Sequence, residues 1–194
     1  NAIAITPSYG VYQVAAATNN VELREVPLSE GYALPTEALL AAADAHTKLL
    51  WICSPNNPTG AVYSVENITA LCNVLRRCEE KYGHPIYLIS DEPYRELVYT
   101  DGATVPFVPN YYNNTIVCYS FSKSLSLPGE RIGYVLVPNT VNEWQKVYFA
   151  VCGAGRSLGF VCAPSLFQKM VPYCIGKTSD ISIYKQNRDL LCTA

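Results

Sequence analysis

One lysine in this sequence sits among groups that could do chemistry with it. Lys123 lies in the run Tyr119-Ser-Phe-Ser-Lys-Ser-Leu-Ser126, with Ser120, Ser122, Ser124 and Ser126 around it and Arg131 eight positions on. A primary amine held at the end of a strand can condense with an aldehyde to an imine. Ser120, Ser122 and Arg131 could then hold a phosphate, the arginine through its planar fork of donors. Two other stretches put polar groups directly after apolar runs. Asn57-Pro-Thr-Gly60 follows Leu49-Leu-Trp-Ile-Cys53, and Asp91-Glu-Pro-Tyr94 follows Ile86-Tyr-Leu-Ile-Ser90. Taken singly, the Asn57 tetrapeptide reads better as an ordinary Pro/Gly turn, and a strand-end Asp that starts a turn is common.

The elements that must position these residues follow from periodicity. Residues 2–5, 49–53, 86–90, 115–119 and 132–137 are short apolar runs of the kind that form buried strands, and residues 21–28 alternate as a half-buried one. Helical patterns are expected over 13–18, from a Thr36 cap through Ala45, and after a Ser64 cap as far as Gly83. Three more are expected over 141–152, 164–174 and 179–192. Residues 132–137 are expected to be buried like the other apolar runs. Strand and helix alternate through the first two thirds of the chain. This predicts an α/β fold with a mainly parallel sheet flanked by helices. Ligands of such sheets sit outside the carboxyl ends of the strands, so Asn57, Asp91 and Lys123 are expected on one rim.

Composition narrows the function classes. The chain has 194 residues, 49% of them apolar and 15% charged, with a formal net charge of −2. That is the balance of a globular domain, and no basic run argues for nucleic acid. No apolar stretch is long enough to cross a bilayer, and the first residues lack a signal-peptide pattern, so a cytoplasmic protein without membrane partners is expected. The eight cysteines are scattered without a Cys-x-x-Cys pair. They read as reduced thiols in apolar surroundings rather than a disulfide framework or a metal site. The sequence opens inside a strand pattern without methionine, and is expected to be an interior piece of a longer protein.

Together the motifs resemble those of the class I and II aminotransferases, pyridoxal phosphate (PLP) enzymes of fold type I. The resemblance rests on Ser-x-Ser-Lys123 followed after seven residues by Arg131-x-Gly, on Asp91-x-x-Tyr94, and on Asn57-Pro-Thr-Gly60, in that family's order. It implies that Lys123 holds the cofactor aldehyde and moves the proton at the substrate α-carbon. By the same resemblance Asp91 pairs with the ring nitrogen, and Tyr94 and Asn57 bond the ring hydroxyl. Asn57 also meets the substrate carboxylate, while Ser120, Ser122 and Arg131 hold the phosphate. Tyr9 resembles the aromatic that stacks on the ring, with Tyr12 the competing choice. The substrates implied are an amino acid and a 2-oxo acid, exchanged by a ping-pong mechanism in a homodimer.

Residues 1–175 would form most of a large cofactor-binding domain, and 176–194 a helix leading toward a small domain. The family's Gly/Ser-rich phosphate helix start and its substrate-carboxylate arginine match nothing in these residues. The chain alone is therefore expected to be inactive. The run Pro7-Ser-Tyr-Gly-Val-Tyr12 is locally similar to histidinol-phosphate aminotransferases, whereas the lysine segment is closer to aspartate and aromatic aminotransferases. Substrate identity stays open, as does the role of Arg156. A PLP-dependent lyase or decarboxylase on the same scaffold, or a PLP-sensing domain of a transcription regulator, also remains open.

Overall fold

The computed structural model describes residues 1–177 and 180–193. Six strands form one sheet in the order β2-β1-β3-β4-β5-β6. They are β1 (Ala2–Thr6), β2 (Leu23–Pro27), β3 (Leu49–Cys53), β4 (Tyr87–Asp91), β5 (Thr115–Ser120) and β6 (Gly133–Leu136). The first five are parallel, and β6 runs antiparallel to β5. Between and after them lie α1 (Val11–Thr18), α2 (Thr36–Ala42), α3 (Val65–Tyr82), α4 (Phe121–Ser124), α5 (Trp144–Ser157), α6 (Ser165–Cys174) and α7 (Ser182–Thr193). The expected α/β architecture, with its mainly parallel sheet flanked by helices, is therefore what forms. No helix among the described residues is long and apolar enough to cross a membrane.

The core follows from the two-residue period of the strands. Ile3, Leu50 and Leu88 are neighbours in register across β1, β3 and β4, and so project from one face. They share a core with Leu39 of α2 and with Ile68, Leu71, Cys72, Leu75 and Cys78 of α3. The α3 positions recur every three or four residues, giving the helix one apolar stripe to bury. Its ends are set locally. The Ser64 side chain accepts from the Asn67 N–H while the Asn67 side chain accepts from the Ser64 N–H, and Gly83 closes the helix at φ +71°. The opposite face carries a different row. Cys53, Asp91 and Cys118 are in register at the carboxyl end of β3, β4 and β5.

Three expectations need correction. Thr36 is the first helical residue of α2 rather than its cap. Pro35 precedes it without a side-chain capping bond, and the helix ends at Ala42 because Ala43 turns extended. The strand expected to be buried over 132–137 is β6, whose residues are all exposed. Apolar composition suggested burial, but among the described residues β6 is the edge of the sheet and is paired with β5 alone. The helices α5 and α6 likewise bury no residue among those described, despite their apolar content. Not all the cysteines are core thiols: Cys53, Cys72 and Cys78 are buried, whereas Cys152, Cys162 and Cys192 are exposed. The start expected for the last helix, at Ser179, lies outside the described residues, and α7 begins at Ser182.

Gly133 is fixed by the approach of β6 to β5. A Cβ there would lie 2.3 Å from the Tyr119 carbonyl oxygen, closer than real contacts allow. Gly133→Ala should push the two strands apart next to Ser120 and cost about 1–3 kcal/mol, the usual range for overpacking. Urea denaturation of the variant measures this. An unchanged midpoint would mean the strands do not meet this closely.

Candidate active site

The Asn57 turn owes its shape to its neighbour, Asn56, which the sequence did not single out. The Asn56 side chain is buried and accepts from the Thr59 N–H at 3.1 Å and the Thr59 hydroxyl at 2.7 Å. The Gly60 N–H closes the turn onto the Asn56 carbonyl at 2.7 Å, with Gly60 at φ +74°. An asparagine that bonds the backbone two or three residues on imitates a turn and stiffens it. The Asn56 amide also donates to the Pro7 carbonyl at 3.3 Å, tying this turn to the one that carries Tyr9. The Asn57 side chain is left free to reach the Tyr94 hydroxyl, to which its Nδ2 donates at 3.1 Å.

Tyr94 follows β4 in a segment anchored by Glu92. The Glu92 carboxylate is buried, accepts from the Ser90 hydroxyl at 2.7 Å, and is paired with the Arg95 guanidinium at 2.5 Å. Arg95 also donates to the carbonyls of Val105 and Pro106. A buried carboxylate is tolerated where its charge and lone pairs are met in this way. The anchoring fixes the first turn after the strand, and with it Asp91 and Tyr94 on either side.

The lysine run forms α4, a single helical turn begun by Ser120, whose hydroxyl accepts from the Ser122 N–H at 3.1 Å. The Ser120 and Ser122 hydroxyls are 2.7 Å apart. The Lys123 Nζ lies over the Tyr94 ring, 5.6 Å from its centroid. Arg131 adopts φ +51°, a left-handed conformation that costs a non-glycine residue about 1–3 kcal/mol. Its guanidinium donates to the Pro128 carbonyl at 2.7 Å.

These pieces meet in one cavity of about 440 Å³ at the carboxyl ends of β3, β4 and β5. Tyr9, Asn57, Asp91, Tyr94, Ser120, Ser122, Lys123 and Arg131 all line it. Every residue to which the resemblance assigns a role is thus brought together, whereas Tyr12, the competing aromatic, does not line the cavity. A second hollow of about 300 Å³ shares Ser120, Ser122 and Arg131 and continues toward Gly133. A larger cleft, about 660 Å³, shares Asn57, Tyr94, Ser122 and Lys123 and runs on past Leu97 and Tyr99 to Tyr184 of α7. Arg156, exposed on α5, lines none of these cavities.

The two tyrosines after β1 are resolved by the fold. Tyr9 stands in the cavity wall, 47% exposed. Tyr12 is 7% exposed, its ring stacked on Trp51 at 5.7 Å and edge-on to Tyr9. The Tyr12 hydroxyl donates to Asp91 Oδ2 at 2.8 Å. Sequence reasoning missed this bond, because nothing in the spacing of Tyr12 and Asp91 links them. Burial pushes the Asp91 carboxyl above its ordinary range, and the Tyr12 bond opposes that rise. Burial also holds the Cys53 and Cys118 thiols up at about 12, with the Asp91 charge adding to both. Both thiols are therefore neutral near pH 7. Chemically, the cavity offers an amine, a carboxylate, paired hydroxyl and guanidinium donors for an anion, and an exposed aromatic face.

Comparison with known proteins agrees with the geometry. Residues 1–171 match the family model described as aminotransferase class I and II. Histidinol-phosphate aminotransferase of Cytophaga hutchinsonii is 35% identical over 131 residues, 66% of this chain and 34% of that protein. The enzyme of the same name from Bacteroides thetaiotaomicron is 36% identical over 141 residues, 73% of this chain and 38% of that protein. Among solved structures, an amino transferase from Eubacterium rectale superposes with a TM-score of 0.94 at 54% identity, covering 99% of this chain and 48% of that one. A mutant aspartate aminotransferase of Thermus thermophilus gives 0.71 at 27% identity, covering 84% of this chain and 42% of that one. The chain thus spans roughly a third of the length of the curated relatives and about half that of the solved chains. The motifs, the sheet with its rim cavity and the family match over 1–171 agree, and the chain belongs to the class I and II aminotransferases.

Proposed function

We propose that the whole protein is a PLP-dependent aminotransferase that moves an amino group between an amino acid and a 2-oxo acid in two half-reactions of a ping-pong cycle. The observation that carries this reading is the convergence of all eight chemistry-bearing residues on one rim cavity. That donor set fits the cofactor: an amine for its aldehyde, a carboxylate for its ring nitrogen, an anion cradle for its phosphate and a flat aromatic for its ring. When bound, PLP supplies the aldehyde that takes up the amino group and a ring that accepts electrons from the substrate α-carbon.

The protein's own part is binding, orientation and proton handling. Lys123 would hold the cofactor through its amine, and the same amine is placed to move the proton at the substrate α-carbon. Asp91 keeps a proton on the ring nitrogen. Its partial burial beside two neutral thiols would strengthen such an ion pair by lowering the local dielectric. Asn57 and Tyr94, already bonded to each other, present donors to the ring hydroxyl, and Asn57 extends to the substrate carboxylate. Ser120, Ser122 and Arg131 hold the phosphate, where the paired hydroxyls and the fork match a tetrahedral anion. Tyr9 covers one face of the ring.

In this reading residues 1–175 belong to the large domain and 176–194 lead to a small one, and the protein works as a cytoplasmic homodimer. The test is to titrate the intact protein with PLP by visible absorbance. It is then assayed for amino transfer to 2-oxoglutarate from a panel including histidinol phosphate, aspartate and aromatic amino acids. Release of carbon dioxide or of an eliminated side chain, without a new amino acid, would replace the transaminase reading by a decarboxylase or lyase. Failure to bind PLP at all would overturn the cofactor assignment.

A further inference from the structure

Asp91 is held by a residue that the proposed chemistry does not yet use. The side-chain hydrogen bond to its carboxylate, among the described residues, comes from the Tyr12 hydroxyl to Oδ2 at 2.8 Å. Tyr12 itself is locked from two sides. Its ring lies parallel to Trp51, with 5° between the planes, and Tyr9 packs edge-on against it. The carboxylate sits between Cys53 and Cys118 on the neighbouring strands, and neither neutral thiol brings a counter-charge. The Tyr12 bond therefore bears directly on the rotation of the Asp91 carboxyl group about its own bond.

We propose that Tyr12 is a positioning residue, whose hydroxyl fixes the Asp91 carboxylate in its charged form and in the orientation that meets the cofactor's ring nitrogen. The choice of a phenol has a physical reason. A lysine or arginine at this place would also hold the carboxylate, but would neutralise the charge that the ring nitrogen needs. A neutral donor orients the carboxylate, stabilises its ionised form against burial, and leaves its negative charge available. Burial raises the Tyr12 phenol well above its ordinary range, so it remains a donor across all working pH values. The rigid stack on Trp51 supplies the precision, because a displaced ring could not keep a 2.8 Å bond.

This inference rests on the reading of Asp91 as the partner of the ring nitrogen, and its test separates the two. Tyr12→Phe keeps the ring on Trp51 and removes only the hydroxyl. In the intact protein it is expected to weaken PLP binding about tenfold or more, as for loss of a hydrogen bond to a charged group. Turnover should fall by a similar factor, with the amino-acid KM little changed. In an Asp91→Ala background the same substitution should have almost no further effect, because there is no carboxylate left to position.

A wild-type PLP affinity in Tyr12→Phe, or an equal loss with and without Asp91, would overturn the positioning role. Unaltered PLP binding and turnover in Asp91→Ala alone would instead sink the reading of Asp91, and the role of Tyr12 with it. Should Tyr12→Phe not fold, the double variant still reports the coupling. Recovery of a folded protein when Asp91 is also replaced supports it, and misfolding of both overturns it.

Discussion

Replacing Lys123 by alanine is expected to end amino transfer, lowering turnover by about 10⁴-fold or more, because in the proposed role one side chain both attaches the cofactor and moves the proton. The two duties are lost together, so the effect should exceed that of any other single change in the cavity. PLP should still bind weakly, since Ser120, Ser122, Arg131 and Asp91 remain to hold its phosphate and ring. In the unaltered protein, borohydride should fix a pyridoxyl group on Lys123, found by peptide mapping. The position of this residue supports the expectation. α4 presents Lys123 to the cavity, with its Nζ over the Tyr94 ring. A label on Lys48, Lys81 or Lys146, or retained turnover in Lys123→Ala, would refute it.

The second large effect is expected at Asp91. Asp91→Ala should slow the half-reaction with an amino acid by about 10²-fold or more, the scale on which a preorganised charge contributes to catalysis. Its effect on folding should be small, and the direction follows from the carboxyl's environment. Burial raises the Asp91 pKa in the folded chain, so ionisation costs more there than in the unfolded chain. A raised acid loses stability as pH rises from its unfolded pKa to its folded one, and the deficit persists above. Removing the carboxyl therefore relieves a cost at neutral pH, partly offset by the Tyr12 hydroxyl that loses its acceptor. Single-turnover absorbance changes and thermal unfolding read the two effects separately. Collapse of the fold with normal chemistry in the residual folded fraction would contradict the assignment.

The separation of those two effects reflects how the site is built. Asp91 closes β4, in register with Cys53 and Cys118, so its place is fixed by sheet hydrogen bonds that its side chain does not make. The neighbouring turn is held by Glu92 and Arg95, and the Asn57 turn by Asn56. The residues to which the chemistry is assigned are thus positioned by others that do not line the cavity.

The sequence by itself determined the strands and the order of the motifs along them. The apolar run 49–53, the capping Ser64 and the terminal Gly83 are local signals, decided by side-chain size, backbone freedom and hydrogen bonding within a few residues. Parallel strands also send their carboxyl ends to one rim, so Asn57, Asp91 and Lys123 could be expected together before any coordinates. Tertiary structure alone decided contacts between residues far apart in the chain. Tyr12 and Asp91 are 79 positions apart and meet only because β1 and β4 flank β3 in the sheet. The choice between Tyr9 and Tyr12 is of the same kind, since both are tyrosines near one turn and only stacking on Trp51 buries the second. β6 shows the converse: its apolar residues read as buried, but exposure depends on strand order, and the sheet places it at the edge. Local pattern fixes what an element is, whereas burial and partnership depend on which elements the fold sets beside it.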